Sequence, residues 1–196
     1  MIKRLFDIIF SILGILILSP FLILISILVL VTSAGGAFYK QVRVGKNGKE
    51  FKLFKFRTMR TGADKAGALT IGMRDSRITS IGYYLRRYKL DELPQLFNVL
   101  MGDMSFVGPR PEVPKYVAMY TAEQRIVLTV KPGITDYASI VYSEENALLA
   151  SAENPEELYI NKVMPAKLKL NMRYIQDMGI GTDMGIILKT IGKIFG

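Results

Sequence analysis

The chemistry open to this chain is limited by two residue types that it lacks. Its 196 residues include no Cys and no His, which excludes thiol nucleophiles, disulfides, His-dependent triads and zinc sites built on these side chains. Carboxylates, Lys, Tyr, hydroxyl groups and metal ions held by oxygen remain. The clearest candidate is Asp91-Glu92-Leu93-Pro94, where two adjacent carboxylates stand at the start of a helix that we predict from about residue 92 to 101.

Two interpretations of this dicarboxylate are open from the residues alone. In the structural one, Asp91 caps the helix, Glu92 complements the helix dipole and Pro94 occupies the first turn. In the functional one, the same helix start stabilises the carboxylates as anions and attracts phosphate. A carboxylate in that position can hold Mg²⁺ or attack phosphorus.

A conformationally restricted Arg is the second candidate. In Gly108-Pro109-Arg110-Pro111, the two prolines restrict the backbone around Arg110, so its guanidinium loses little entropy when it binds a phosphate. Lys55, Arg57 and Arg86 could add positive charge, although each of them alone could equally be a surface residue. Together with the dicarboxylate they favour a nucleotide or pyrophosphate substrate bound through Mg²⁺. The chain has no Walker loop and no GxGxxG, which disfavours standard NTPases and dinucleotide enzymes.

The positive charge of the chain is concentrated near its start. Lys and Arg exceed Asp and Glu by nine overall, and the first 61 residues carry a net charge of +8. Most of this excess follows a run of 24 uncharged residues, 8–31. As a helix this run would be about 36 Å long, enough to cross a bilayer of roughly 30 Å. The basic block favours anionic lipid or phosphate-bearing ligands, and no nucleic-acid motif accompanies it.

Pro20, near the middle of the apolar run, leaves two topologies open. Pro20 cannot donate to the carbonyl of Leu16 and should kink the helix, while Ser19 can return a hydrogen bond to a carbonyl one turn back. One topology is a spanning helix with a mild kink. The other is a re-entrant hairpin that breaks at Ser19-Pro20 and has both ends on one face. Basic residues at 3–4 and 40–43 favour the hairpin slightly, because such flanks tend to be cytoplasmic.

The elements that position these residues are predicted to form an α/β fold, mainly helical, with one small β-hairpin. Residues 1–36 are predicted as the membrane segment, and residues 37–196 as a single compact cytoplasmic domain packed on the membrane surface. Asn47-Gly48 predicts a tight turn between two strands, with a bulge near Leu53. The strands are expected at 38–44 and 50–58, a loop at 61–74, and helices at 76–90, 92–101, 112–130, 163–178 and from a Thr182 cap onward. The last helix has an apolar face that fits either core packing or an interfacial membrane helix.

Four sequence runs, in this order along the chain, resemble the bacterial sugar transferase family, the monotopic phosphoglycosyl transferases. The similarity covers nearly the whole chain and includes the Ser19-Pro20 break. Because the chain starts directly at its hydrophobic segment, it resembles the small members of the family. The four runs are Lys55-Phe56-Arg57-Thr58-Met59, Asp91-Glu92-Leu93-Pro94-Gln95-Leu96-Phe97-Asn98-Val99-Leu100, Gly102-Asp103-Met104-Ser105-Phe106-Val107-Gly108-Pro109-Arg110-Pro111 and Lys131-Pro132-Gly133-Ile134-Thr135.

The resemblance implies a complete reaction. A UDP-sugar donor and undecaprenyl phosphate, a polyprenol phosphate, would react at the cytoplasmic face of the bacterial inner membrane, releasing UMP in the first membrane step of glycoconjugate assembly. Asp91 would form a covalent phosphosugar intermediate and hold Mg²⁺, which Mn²⁺ could replace, and Glu92 would support the metal or the acceptor step. Arg86 and Arg110 match phosphate-contacting positions, and Asp183 matches an acid near the last helix. The resemblance leaves the oligomeric state open.

One segment departs from the family pattern. After Thr135, many members continue Gly-hydrophobic-Ala-Gln-hydrophobic-Asn-Gly-Arg, whereas this chain reads Asp136-Tyr137-Ala138-Ser139-Ile140-Val141-Tyr142-Ser143. We expect this region to contact the sugar or the nucleotide, so the identity of the sugar cannot be transferred. A rival hypothesis is a non-catalytic membrane anchor with a basic surface for lipid or nucleic acid. It explains the apolar run and the charge but not the dicarboxylate beside a proline-flanked Arg.

Overall fold

The computed structural model describes residues 2–63 and 75–195, and this part of the chain is mainly helical, as predicted. Its α-helices are α1 (Ile2–Thr32), α2 (Ser80–Arg87), α3 (Gln95–Met101), α4 (Pro114–Val117), α5 (Tyr137–Val141), α6 (Glu145–Ala150), α7 (Pro155–Leu158), α8 (Met164–Gln176) and α9 (Ile180–Phe195). Its strands are β1 (Phe38–Val44), β2 (Glu50–Phe56), β3 (Ser105–Val107) and β4 (Gly133–Thr135). Three 3-10 turns and one π-turn connect them, at Lys46–Gly48, Leu90–Glu92, Gln124–Thr129 and Tyr159–Val163. The loop predicted at 61–74 lies mostly outside the described residues.

The long helix α1 runs without interruption through Ser19 and Pro20. The Ser19 hydroxyl donates to the carbonyl oxygen of Leu16 at 2.8 Å. That carbonyl is the one that Pro20, four residues further on, leaves without its amide donor. The predicted return hydrogen bond is therefore present, whereas a break in the helix at this point is not confirmed.

Most of the apolar surface of α1 is left uncovered by the rest of the chain. The helix is long and apolar enough to cross a membrane, and only 17% of its most apolar 18-residue window is buried. Its covered side contributes Leu22, Ile25 and Val29 to a small core with Phe56 of β2 and Leu85 of α2. A core helix of a soluble protein would be covered on more of its surface, so this exposure indicates association with a membrane.

The hairpin β1–β2 has the predicted first strand and turn, but its second strand ends two residues earlier than predicted, at Phe56, and it lacks the predicted bulge. Asn47 and Gly48 adopt positive φ angles of 58° and 75° at the turn, a conformation that Asn and Gly tolerate best. The strands pair antiparallel one to one from Phe38 opposite Phe56 to Val44 opposite Glu50, so the bulge expected near Leu53 is wrong. The buried Asn98 of α3 explains the regular strand, because its side chain donates to the Lys52 carbonyl and accepts from the Phe54 amide.

The parallel pair β3–β4 holds the proline-rich segment against the body of the domain. The Gly108 amide donates to the Thr135 carbonyl and the Gly133 amide donates to the Pro109 carbonyl, both at 3.1 Å. The two backbones are so close that a Cβ on Gly133 would lie 2.1 Å from the Gly108 nitrogen. Only glycine at these two positions permits this approach, which fixes the segment just before Arg110.

The larger core lies beneath α4, the 3-10 turn Gln124–Thr129 and α8. The helix expected at 112–130 is therefore mostly wrong: it is reduced to α4 and that 3-10 turn, because packing of Tyr116, Val117, Tyr120 and Val127 on one cluster overrides the local helical pattern. The last helix, α9, begins two residues earlier than predicted, at Ile180. Its Ile186 is buried, whereas Ile180, Met184, Leu188 and Ile191 are exposed, so α9 has both a core face and an uncovered apolar face.

Candidate active site

The dicarboxylate lies in a 3-10 turn and not in a helix cap. Lys89, with φ of 57°, turns the chain out of α2, and the turn Leu90–Glu92 follows at once. Helix α3 begins only at Gln95, after Pro94, and no side chain caps it. The structural interpretation of Asp91 as an N-cap is therefore wrong, and the geometry of the turn has a different consequence: it places the two adjacent carboxylates in different surroundings.

Glu92 is held by two cations. Its carboxylate accepts a hydrogen bond from Lys55 Nζ at 2.9 Å and a two-pronged contact from the Arg110 guanidinium. A forked Arg–carboxylate pair of this kind is directional and strong. Lys55 and Arg110, which the sequence predicts as phosphate-binding residues, thus both bind Glu92.

Asp91 is buried at 8% exposure but has no such partner. Within residues 2–63 and 75–195, no hydrogen bond or ion pair reaches its carboxylate. Burial raises the pKa of Asp91, against the opposing charge of Lys55. Burial alone would also raise the pKa of Glu92, but Arg110 and Lys55 hold it well below its usual range. Thus Glu92 is a neutralised anion, whereas Asp91 is a carboxylate whose oxygens are free to bind or attack a ligand.

Arg110 is positioned by a second buried acid, Asp136, at 0% exposure. The Asp136 carboxylate accepts from the Arg110 backbone amide at 3.0 Å and from the Ser139 amide at 2.6 Å. The second of these bonds caps α5. Sequence reasoning gave Asp136 no role of its own, although Asp three residues before Ser139 is a recognisable capping pattern. One side chain therefore ties the start of α5 to the Arg that binds Glu92.

The remaining predicted site residues divide between the site and the rest of the domain. Arg86 lines the same cavity as Asp91, and burial lowers its pKa while the Asp91 charge opposes that effect. Arg57 lies elsewhere and donates to the carbonyls of Gly36 and Phe38 at the base of the hairpin. Asp183 is also remote from Asp91 in its contacts. It binds Lys3 of α1 and accepts from the Tyr174 hydroxyl at 2.7 Å.

A cavity of about 1070 Å³ contains the dicarboxylate, Arg110, Arg86 and Lys55. One side is apolar and includes Phe10, Gly14 and Leu18 of α1, and another side is formed by polar residues of α5, α6 and α8. Cavities of this size accommodate ligands larger than a typical drug molecule. The cavity around the dicarboxylate is thus bordered by the apolar helix α1 on one side and by polar residues of α5, α6 and α8 on another.

A second ion-pair cluster in the cavity wall was missed by sequence reasoning. Arg43 binds Glu112 at 3.1 Å and the Pro111 carbonyl at 2.9 Å, and the Tyr159 hydroxyl donates to Glu112. Burial and the Glu112 charge both raise the pKa of Tyr159. These residues come from β1, the segment after Arg110 and the π-turn, and no local sequence pattern connects them. Arg43 therefore holds the chain just after Arg110, at the Pro111 carbonyl, and Asp136 holds it at the Arg110 backbone amide.

The residues fit a divalent cation that is shared with a substrate, but not a cation held by protein ligands alone. No cluster of three or more acidic or other metal-ligating side chains occurs in the described part of the chain. Glu92 already binds two cationic side chains, so Asp91 is the carboxylate left to act as a ligand. Mg²⁺ is commonly held by one or two carboxylates together with substrate phosphates and water, and Asp91 meets that requirement.

Comparison with known proteins gives the family of the chain. The family model for bacterial sugar transferases matches residues 1–196. The chain is 38% identical to UDP-glucose:undecaprenyl-phosphate glucose-1-phosphate transferase of Klebsiella pneumoniae, covering 98% of this chain and 40% of that protein. It is 33% identical to UDP-N-acetylgalactosamine-undecaprenyl-phosphate N-acetylgalactosaminephosphotransferase of Aeromonas hydrophila, covering 98% of this chain and 43% of that protein.

A third relative matches over nearly its whole length. The chain is 36% identical to exopolysaccharide production protein PSS of Rhizobium leguminosarum bv. phaseoli, covering 96% of this chain and 92% of that protein. The chain therefore spans less than half of the Klebsiella and Aeromonas relatives but most of the Rhizobium one. The match across all 196 residues shows that the chain belongs to the bacterial sugar transferase family.

Proposed function

We propose that the chain transfers a sugar 1-phosphate from a UDP-sugar to undecaprenyl phosphate and releases UMP, as the first membrane step of glycoconjugate assembly. The names of the Klebsiella and Aeromonas relatives support this donor and acceptor. The observation that carries the proposal is Asp91, a buried carboxylate to which no cation of the described residues binds, next to Glu92, which is bound by two. In a chain without Cys and His, Asp91 is the available nucleophile.

The reaction proceeds in two displacements at one phosphorus atom. In the first, an Asp91 oxygen forms a bond to the phosphorus that carries the sugar, and the bond from that phosphorus to the bridging oxygen breaks. The bridging oxygen leaves with UMP. In the second, an oxygen of undecaprenyl phosphate attacks the same phosphorus, the bond to Asp91 breaks, and undecaprenyl diphosphate sugar leaves. Covalent catalysis divides a transfer between two anions into two steps that avoid their direct encounter.

The neighbouring side chains reduce the charge repulsion of these steps. Arg110 and Lys55 surround the dicarboxylate with positive charge, and Arg86 lines the cavity beside Asp91. Such fixed charges stabilise the transition state of phosphoryl transfer. Glu92 keeps Arg110 and Lys55 in place and thereby prevents either cation from pairing with Asp91. Mg²⁺, for which Mn²⁺ substitutes, would be held by Asp91 with the diphosphate and would supply charge neutralisation there.

We place the enzyme as a monotopic protein on the cytoplasmic face of the inner membrane, with α1 as a re-entrant segment. Contacts at both ends of α1 support this topology. At its start, Arg4 donates to the Val99 and Leu100 carbonyls of α3, and Asp7 accepts from Ser105 and Phe106. At its end, the chain continues directly into β1 of the same domain. A helix whose two ends bind one polar domain does not place those ends on opposite sides of a bilayer.

UMP release from a panel of UDP-sugars, with undecaprenyl phosphate and Mg²⁺ present, tests the function. We expect release with at least one sugar, dependence on added metal, and phosphosugar bound to the protein when the acceptor is omitted. Full activity in EDTA after removal of carried-over metal would contradict the metal requirement. No UMP release from any UDP-sugar, together with binding to anionic vesicles, would favour the rival non-catalytic anchor.

A further inference from the structure

Two polar atoms in residues that line the cavity are buried and have no hydrogen-bond partner among residues 2–63 and 75–195. They are Asn171 Oδ1 of α8 and Ser139 Oγ of α5. Asn171 is only 4% exposed, and both residues line the cavity that contains Asp91. An unpaired buried acceptor or hydroxyl destabilises a fold unless a ligand or water completes it. These two atoms therefore mark a place on the polar side of the cavity that can bind a hydrogen-bonding group of a ligand.

A single carboxylate connects this place to the reaction centre. Asp136 binds the backbone amides of both Ser139 and Arg110, and Arg110 in turn binds Glu92, the neighbour of Asp91. One turn before Asn171 on α8, Lys167 pairs with Glu145 of α6 at 2.6 Å, and both of these residues also line the cavity. Polar residues of α5, α6 and α8 thus line the same cavity as Arg110 and the two carboxylates.

We propose that Ser139 and Asn171 form the subsite for the sugar of the donor, and that Asn171 accepts a hydrogen bond from a sugar hydroxyl or acetamido N–H. The inference rests on the proposed function, since it needs a UDP-sugar at Asp91. The sugar is favoured over the uracil because it is bonded to the phosphorus that Asp91 attacks, whereas the uridine lies one phosphate further away. Ser139 also belongs to the segment that departs from the common family pattern, where a change of sugar preference would be encoded.

The test compares three variants of the full-length protein, reconstituted with undecaprenyl phosphate and Mg²⁺. Asn171→Leu and Ser139→Ala remove the proposed contacts. Ser33→Ala is the matched control, because Ser33 Oγ is also buried without a partner but does not line the cavity. For each variant, kcat/KM is measured with UDP-glucose, UDP-galactose and their N-acetylamino analogues, together with the inhibition constant of UMP and the Tm.

We expect Asn171→Leu to lower the ratio of kcat/KM between the best and second-best sugar by about tenfold or more, since a site built to bind a donor group discriminates by that bond. Ser139→Ala should lower the same ratio by a smaller factor, and Ser33→Ala should leave it unchanged. Removing an orphan acceptor with a side chain of similar shape should not lower the Tm. The UMP inhibition constant should stay within about twofold, because UMP lacks the sugar.

Three results would overturn the assignment. An unchanged sugar ratio in Asn171→Leu would show that the residue does not read the sugar. A rise in the UMP inhibition constant that accounts for the whole loss would assign the pair to the uridine. An equal loss for every sugar together with a lower Tm would show a structural role only. If wild type itself releases UMP from no UDP-sugar, the proposed function fails, and the failure is seen before any variant is compared.

Discussion

Two buried aspartates, Asp7 near the start of α1 and Asp91 in the turn before α3, have opposite surroundings. Asp7, at 2% exposure, accepts from the Ser105 hydroxyl at 3.0 Å and the Phe106 amide at 3.1 Å. Asp91, at 8% exposure, has no hydrogen bond or ion pair within the described residues. Two aspartates of similar burial can therefore have different roles. A carboxylate that accepts hydrogen bonds from the protein holds elements together, and one without partners is available for chemistry.

The contrast extends to two further aspartates of the domain, the buried Asp136 and the partly buried Asp183. Asp136 is completed by two backbone amides, and Asp183 by Lys3 and Tyr174. Asp183, which the sequence resemblance placed among the functional residues, therefore resembles Asp7 in its contacts and joins α9 to the start of α1. Its structure favours a role in holding the membrane-facing helices together. Among these four aspartates, Asp91 alone combines burial with a carboxylate that nothing in the described chain completes.

The largest effect on activity is expected from substitution of Asp91, and not of Asp7. Asp91→Asn should lower UMP release by roughly 10⁴-fold or more, as loss of a nucleophile does, and should leave no phosphosugar on the protein. Because burial raises the pKa of Asp91, its ionised form opposes folding at neutral pH. The Asn variant should therefore be at least as stable as wild type. Labelled UDP-sugar trapping and thermal unfolding measure the two effects.

Asp7→Ala should have the opposite pattern of effects, a loss of stability with little change in kcat. It leaves the Ser105 hydroxyl and the Phe106 amide without their acceptor, so it should lower the free energy of unfolding by about 1–3 kcal/mol. The kcat of the folded enzyme should remain near that of wild type. Robust turnover by Asp91→Asn, or a specific loss of kcat with unchanged stability in Asp7→Ala, would contradict the distinction between the two sites.

Arg110→Lys tests how Glu92 keeps the cations away from Asp91. A Lys ammonium cannot reproduce the two-pronged contact of the Arg110 guanidinium, so Glu92 would be held less firmly. We expect kcat/KM to fall by about ten- to a hundredfold, with a smaller change in Tm. Arg125→Lys, at an exposed Arg outside the cavity, is the control. An unchanged kcat/KM in Arg110→Lys would show that the fork contributes nothing to the reaction.

The pH dependence of the first displacement sharpens the comparison further. Asp91 must be ionised to attack, and its pKa is raised by burial but lowered by the charge of Lys55. Lys55→Met should therefore raise the pKa of Asp91 and move the acid limb of single-turnover UMP release to higher pH. Lys52→Met, at an exposed position of the same strand, should leave the limb unchanged. A limb that moves to lower pH in Lys55→Met would contradict the assignment to Asp91.

The parts of this site that the sequence predicts are those with local or chemical signals. The Asn47-Gly48 turn, the strand that carries Lys55 and the choice of the dicarboxylate and Arg110 as candidate site residues all followed from residue type and spacing. The bulge near Leu53 and the Asp91 cap were wrong because tertiary contacts decided both. Asn98 regularises the strand from a distance of more than 40 residues, and the chain turns at Lys89 before the helix can begin.

The sequence could not predict which buried polar groups are hydrogen-bonded by residues far along the chain. Whether a buried acid is bonded depends on residues far along the chain, as the pairing of Lys3 with Asp183 shows. The sequence of Asp7 or Asp136 does not reveal that two donors meet each carboxylate. Equally, it does not reveal that Asn171 Oδ1 and the Asp91 carboxylate find no partner in the part of the chain that the structure describes. The structure therefore adds most information at the candidate active site, where it distinguishes bonded from unbonded polar groups.

The smallest expected effect concerns the membrane topology, and it depends on the bond beside Pro20. Pro20 leaves the Leu16 carbonyl without an amide donor, and the Ser19 hydroxyl completes it. Replacing both residues by Ala restores the backbone bond and removes the steric clash of the proline, worth about 3 kcal/mol in a straight helix. The double variant should therefore favour a straight segment that can span the bilayer. Opposing this, the bonds of Lys3, Arg4 and Asp7 to the rest of the domain hold the start of α1 on the same side of the membrane as that domain.

A mixed population is therefore expected, and the absence of native Cys permits a direct measurement. Cys introduced at Ile2 is labelled in intact cells with a membrane-impermeant maleimide. The introduced Cys should be protected from labelling when Ser19 and Pro20 are unchanged. In the Ser19/Pro20 double variant it should be labelled in part. Adding Asp7→Ala should increase that labelled fraction, because the structural aspartate then no longer anchors the helix start, whereas adding Asp91→Asn should not. Ready labelling in the wild-type background would show that α1 spans the membrane, because a re-entrant segment keeps both of its ends inside.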